Sequence, residues 1–292
     1  MGRVIEFLLA ALLVSAISVA AVLWFAAGVL IEPFNSGAAD ARPDAAFAEN
    51  FLIRTSDGVA LNAAFTPPEG ERKGCMLLLH GNGGSLGDMG GLAATLTQAG
   101  YGAMAIDFRG HGGSDAVDRS AGWVERLDAD AAFAEMARRC EGRPLGIYGF
   151  SLGGAAALLG EAGRTSDLLI LESVYADIDR AVGQRMDDRL GTTFGPVASE
   201  ALLKMLEWRT GISAADASPA KAAKHISAFT FLIAGGDDYR APPADSEAIA
   251  AKLAGEHRLY VVPGARHGEA QALGGRDLDQ QFATLLAEHL TR

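Results

Sequence analysis

The chain has 292 residues, of which 49% are hydrophobic and 21% charged, and its formal net charge is −11 at pH 7. That balance excludes a disordered chain, and the acidic excess argues against a nucleic-acid partner, which needs a basic face. The length fits one large α/β domain with an appendage, or two small domains.

The first 31 residues read as a membrane element. Positions 7–31 carry no charge. As a helix they span about 37 Å at ~1.5 Å per residue, against about 30 Å of bilayer hydrocarbon. An uncleaved transmembrane anchor is the expectation. A cleaved secretory signal is the alternative, with the small residues from Ala38 to Ala41 as its cleavage site. Glu6 breaks the myristoylation pattern, and no cysteine lies near the segment for lipid attachment. Arg3 precedes the span and Glu32 follows it. By the positive-inside bias this gives a single-pass protein of the cell membrane, its start cytoplasmic and its bulk outside; cleavage would make it secreted. The acidic remainder has no electrostatic attraction to anionic lipid, so the helix is the expected membrane contact.

Residues 32–48 form a linker rich in Ala, Asp and Pro. Alternation at Phe51 and Ile53, a turn at Ser56-Asp57-Gly58 and a return over 59–65 predict a hairpin that ends at Pro67-Pro68. From Cys75 the pattern changes. Continuous apolar runs at 76–79, 103–108, 145–148, 168–171, 229–234 and 259–262 predict buried parallel strands. Helical stretches at 86–98, 124–140, 152–161, 243–253 and 278–290 alternate with them. Residues 175–217 are too long for a plain crossover. Their apolar positions, among them Ile178, Val182, Leu203 and Leu206, predict a small helical cap over a cleft, with ordinary surface helices as the alternative. The domain plan is therefore 1–31 anchor or signal, 32–48 linker, and 49–292 an α/β domain with a cap at about 175–217.

One run carries chemistry. Gly149-Phe150-Ser151-Leu152-Gly153 follows an apolar strand and opens an Ala/Leu-rich helix. A serine at such a strand-to-helix turn has its hydroxyl pushed into a cleft, and small residues two positions either side let the backbone turn. Alone, the pentapeptide is also what chance yields in a chain with 36 glycines. Acyl transfer by serine further needs a base, a carboxylate to hold it, and donors for the oxyanion. His267, in a loop after the last apolar run, is the candidate base; His225, His257 and His289 read as surface. Asp238 is the candidate acid. Asp237 is its neighbouring rival, and Glu172 a more distant one whose plainer role is to hold a loop amide. The candidate oxyanion donors are the backbone N–H groups of Leu152 and of Asn82, the latter in the glycine-rich loop Leu79-His80-Gly81-Asn82-Gly83-Gly84-Ser85. That loop lacks the lysine and spacing of a phosphate cradle, and no zinc-spaced Cys/His cluster occurs. No metal or cofactor is expected.

These features fall in one order: the His80-Gly81 loop, Asp107-Phe108-Arg109-Gly110-His111-Gly112-Gly113-Ser114, the Ser151 turn, Leu171-Glu172-Ser173, Ser218-Pro219, Asp238 and His267. Over roughly residues 50–290 the chain resembles the α/β-hydrolase superfamily. The nearest group is the serine aminopeptidase-like set that includes monoacylglycerol lipases and membrane-anchored acyl-protein and lysophospholipid hydrolases. The resemblance implies an α/β-hydrolase fold, a mostly parallel sheet flanked by helices. It also implies that Asp107, Arg109 and His111 are structural. Ala234-Gly235 stands where the family often has His-Gly, and Phe229-Thr230 where many members have Pro. In such a fold Cys75 and Cys140 precede neighbouring strands. They are then either two small buried hydrophobes or a disulfide.

The expected function is a membrane-anchored serine hydrolase that cleaves an ester or related acyl bond of an amphipathic small molecule, such as a monoglyceride, lysophospholipid or thioester. A peptidase of the same fold is the runner-up, and a non-catalytic, membrane-tethered binding module is the alternative from another class.

Overall fold

A computed structural model describes residues 2–40, 44–70 and 72–292. The hairpin consists of β1 (Glu49–Arg54) and β2 (Ala60–Thr66), paired antiparallel around a turn in which Gly58 takes φ +91°. The apolar runs become β3 (Cys75–Leu79), β4 (Gly102–Ile106), β5 (Leu145–Phe150), β6 (Leu168–Glu172), β7 (Phe229–Gly235) and β8 (His257–Val262). Among the described residues they form one eight-stranded sheet in the order β1-β2-β4-β3-β5-β6-β7-β8. From β4 to β8 every pairing is parallel, and β2 joins β4 antiparallel.

Helices cover both faces, so the central strands are apolar on both sides. The helices are α1 (Gly2–Ile31), α2 (Gly90–Gln98), α3 (Glu125–Arg139), α4 (Leu152–Leu159), α5 (Glu161–Thr165), α6 (Ile178–Thr210), α7 (Pro219–Ala222), α8 (Pro243–Ala250) and α9 (Ala270–His289). Leu77 and Leu79 pack with α3, α4 and α8; Met76 and Leu78, on the opposite face, pack with α2 and α9. That is the two-residue period of a strand. Each such burial stabilises by about 1.5–3 kcal/mol.

Glycines account for the differences from the predicted elements. The stretch at 86–98 opens with a 3₁₀ turn, Leu86–Met89, and becomes α-helical only at Gly90, the first of two weak helix formers. The stretch at 152–161 breaks at Gly160, whose ψ of 178° is extended. The last helix begins at Ala270 and kinks at Gly275, which takes φ +58°.

Between β6 and β7, α6 is two helical pieces joined at Gly191, where φ is 74° and ψ 163°. Gly211, at φ 69°, ends it in a left-handed cap. The end of α1 packs on α6 through Ala27, Val182 and Leu202. Trp24 meets Trp208 edge-on at 5.2 Å, and Arg209 donates to the Trp24 carbonyl at 2.9 Å. Upstream of this contact α1 is exposed, with Phe7 at 74% and Val22 at 67%. Its stretch Arg3–Ile31 is long and apolar enough to cross a membrane, at a mean hydropathy of 2.5.

Of the residues read as a linker, those from Phe34 to Asp40 run along the 107–115 loop. Phe34 N–H donates to the Gly110 carbonyl at 2.7 Å, and Asp40 N–H to that of Gly113 at 2.8 Å. Of the small residues read as a cleavage site, Ala41 lies outside the described residues. Cys75 and Cys140 form a disulfide that joins the start of β3 to the C-terminal end of α3.

Candidate active site

Ser151 lies between β5 and α4 with φ at +51°, where residues other than glycine are uncommon. The turn is tight on both sides. A Cβ on Gly153 would lie 2.3 Å from the Leu79 carbonyl oxygen, and one on Gly149 would lie 2.5 Å from the Cα of Gly154. No side chain fits either place. Ser151 N–H donates to the Glu172 carbonyl at 2.8 Å, which ties the turn to the end of β6.

The structure brings the three candidate side chains together. His267, in the loop after β8, accepts from the Ser151 hydroxyl at Nε2 over 3.1 Å. Its Nδ1–H donates to Asp238 Oδ2 over 2.8 Å. The carboxylate fixes this tautomer, because an ionised Asp only accepts. Asp238 Oδ1 accepts from the N–H groups of Arg240 at 2.8 Å and Ala241 at 3.0 Å. Burial alone would raise the Asp238 pKa. The hydrogen bonds from His267 and from the two backbone amides outweigh it and hold the carboxyl below its ordinary value. Asp237, the neighbouring rival, is exposed. The Glu172 carboxylate accepts from the Tyr148 hydroxyl at 2.7 Å, and burial raises its pKa.

Asn82 and Leu152 line the same cavity as Ser151. Among the described residues, neither of their backbone N–H groups has a protein acceptor. The remaining loop residues hold one another. Asp107 accepts from Leu86 N–H, Gly113 N–H and Asn62 Nδ2, all within 2.8 Å. Arg109 is paired with Asp128 and Asp57. His111 Nε2 accepts from Gly83 N–H at 3.0 Å, and His80 Nε2 from Phe108 N–H at 3.0 Å. Both imidazoles are therefore neutral, and burial depresses both pKa values, that of His111 to about 4.

The cavity over Ser151 has a volume of about 140 Å³. Its walls come from α6 (Ile178, Val182, Leu203, Leu206), from the segment after α6 and from Tyr175. Leu30 and Ile31 of α1 complete it. Sequence reading missed these two, because a uniformly apolar run carries no mark of where it leaves solvent or lipid and meets protein. It also missed Arg185, the one charged side chain among the described lining residues. Arg185 donates to the carbonyl of Ala181 in its own helix at 2.6 Å.

Comparison with known proteins matches residues 70–213 to the family described as serine aminopeptidase, S33. An uncharacterized Mycobacterium tuberculosis protein is 26% identical over 240 residues, covering 81% of this chain and 78% of that protein. An esterase from Pyrococcus furiosus superposes with a TM-score of 0.68 at 19% identity, covering 89% of this chain and 99% of that one. An acetyl xylan esterase from Paenibacillus superposes with a TM-score of 0.63 at 18% identity, covering 92% and 94%. At such identities these two structures show the fold alone.

Proposed function

Since this chain belongs to the α/β-hydrolase superfamily, in its serine aminopeptidase S33 group, we propose that it is a serine hydrolase that cleaves an acyl ester through an acyl-enzyme on Ser151. The observation that carries this reading is the continuous relay from the Ser151 hydroxyl through His267 to Asp238. His267 takes the hydroxyl proton as Ser151 Oγ attacks the acyl carbonyl. The negative charge that develops on the carbonyl oxygen is met by the Asn82 and Leu152 amides, which have no protein acceptor among the described residues. Collapse of that intermediate breaks the ester bond, and His267 returns the proton to the leaving oxygen. Water, deprotonated by His267, then releases the acid and restores Ser151. Asp238 stays ionised throughout; it fixes the His267 tautomer and balances the imidazolium.

For the substrate we propose an amphipathic acyl ester. The apolar walls of the cavity suit an acyl chain, and α6 acts as the cap that shapes it. We propose further that α1 is an uncleaved membrane anchor, which would place the cavity beside lipid. The peptidase alternative is less well supported. Recognition of a substrate ammonium needs an acidic recess, and the charged group here is the Arg185 cation. Labelling with a fluorophosphonate probe tests the chemistry. Wild type is expected to label and Ser151→Ala to remain unlabelled. An unlabelled wild type, or equal labelling of the variant, overturns the proposal.

A further inference from the structure

Arg119 is 3% exposed, and among the described residues it makes no salt bridge. A buried guanidinium without a carboxylate must be held by other acceptors, or its desolvation is uncompensated. Its acceptors come from two places far apart in the chain. Nε and Nη2 donate to the Glu32 carbonyl at 2.8 and 2.6 Å. Nη1 donates to the Asn82 side-chain oxygen at 2.5 Å. Arg119 N–H donates to the Ile31 carbonyl at 2.7 Å, and the guanidinium lies 3.8 Å over the Phe34 ring. Ile31 ends α1. Its carbonyl belongs to the last turn, which has no acceptor-satisfying N–H of its own and favours a cation beside it.

We propose that Arg119 is a positioning residue that ties the end of α1 to the Asn82 loop and so holds the Asn82 backbone N–H at the oxyanion. The proposal rests on the hydrolase reading above. The Asn82 side chain is drawn to Arg119, so the backbone of that residue keeps one orientation in a loop where Gly81, Gly83 and Gly84 would otherwise let it turn. The other side of the loop is held through Gly83 N–H and His111. Arg119 works from the side of α1, and Leu30 and Ile31 bring that same helix end to the cavity wall. The end of the apolar helix is thus part of the working site as well as a point of attachment. Removal of the chain up to residue 41 would take away the Glu32 carbonyl that holds the guanidinium and the Ile31 carbonyl that accepts from the Arg119 backbone N–H.

The test is a double-mutant cycle on the full chain in detergent, with nitrophenyl butyrate as substrate. Arg119→Ala and Asn82→Ala are each expected to lower kcat by about 10- to 100-fold with KM changed less than about threefold. The double variant is expected to be no worse than the weaker single, because the two changes break one link. Arg119→Lys, which keeps the charge but not the guanidinium fork that spans Glu32 and Asn82, should recover part of the loss. Losses that multiply, or an Arg119→Ala enzyme with unchanged kcat, overturn the proposal. If Arg119→Ala does not melt cooperatively, the cycle is run with Arg119→Lys against the same criteria. Arg209→Ala, which loosens α1 at Trp24 away from the cavity, is the control and should keep the wild-type kcat; a matching loss there assigns the effect to helix docking and also overturns the proposal. Fluorophosphonate labelling of wild type separates the two claims. Without labelling the hydrolase reading fails; with labelling and additive losses only the Arg119 link fails.

Discussion

Ser151 and His267 stand 116 positions apart in the chain and 3.1 Å apart in space, and their residue types at two strand ends were enough to nominate both as candidates. Asp238 was the sequence's candidate acid with Asp237 as its neighbouring rival, and it is Asp238 that turns inward while Asp237 is exposed. The buried one accepts two backbone amides as well as His267. Asp238→Asn should therefore lower kcat by about 10⁴-fold, because an amide admits the wrong imidazole tautomer. Asp237→Asn should stay near wild type in the same assay. His111 yields a stability prediction. Its pKa is ordinarily 6.5 and falls to about 4 in the fold. The unfolded chain then binds the proton first, so stability is complete above pH 6.5 and lost as pH falls toward about 4. Melts of His111→Gln should show a smaller fall in Tm between pH 7 and 4.5 than wild type. An equal fall would show that His111 does not titrate in that range.

At the scale of elements, the strand–helix alternation was legible because parallel strands buried on both faces read as uninterrupted apolar runs. The breaks were less so. Gly160, Gly191 and Gly275 each interrupt a helix, and a single glycine in a helical pattern does not reveal whether it bends the chain or is merely tolerated. The apolar residues of 175–217 suggested something laid over a cleft, and α6 supplies Val182 and Leu206 to the cavity wall. Val182 is 6% exposed, so added bulk there must go into the cavity. Val182→Phe should cut kcat/KM for a decanoyl ester by about tenfold or more relative to an acetyl ester. A parallel change for both esters in a chain-length series would mean that the cavity does not hold the acyl group.

For the whole molecule, the Cys75–Cys140 disulfide closes a loop with a sequence separation of 65. By the chain-entropy relation this contributes about 4 kcal/mol through the unfolded state. Reductant should lower Tm, and Cys75→Ala/Cys140→Ala should lower it equally while removing the reductant's effect. A Tm that ignores reductant would count against the bond. The sequence offered only the choice between this bond and two buried thiols, since pairing depends on how β3 and α3 meet. It likewise showed α1 as an apolar span and was silent on its end, where Ala27 and Ile31 are buried against the domain. Contacts between segments distant in sequence leave no periodicity to read.

All of this turns on a covalent acyl group carried by Ser151. Wild type mixed with excess nitrophenyl ester and quenched in acid within the first turnover can be mapped by peptide mass spectrometry. The acyl mass is predicted on the peptide that contains Ser151, absent in Ser151→Ala and persistent in His267→Ala only to the extent that it forms. Turnover of the ester with no acylated Ser151, or with the adduct on another residue, would contradict the account.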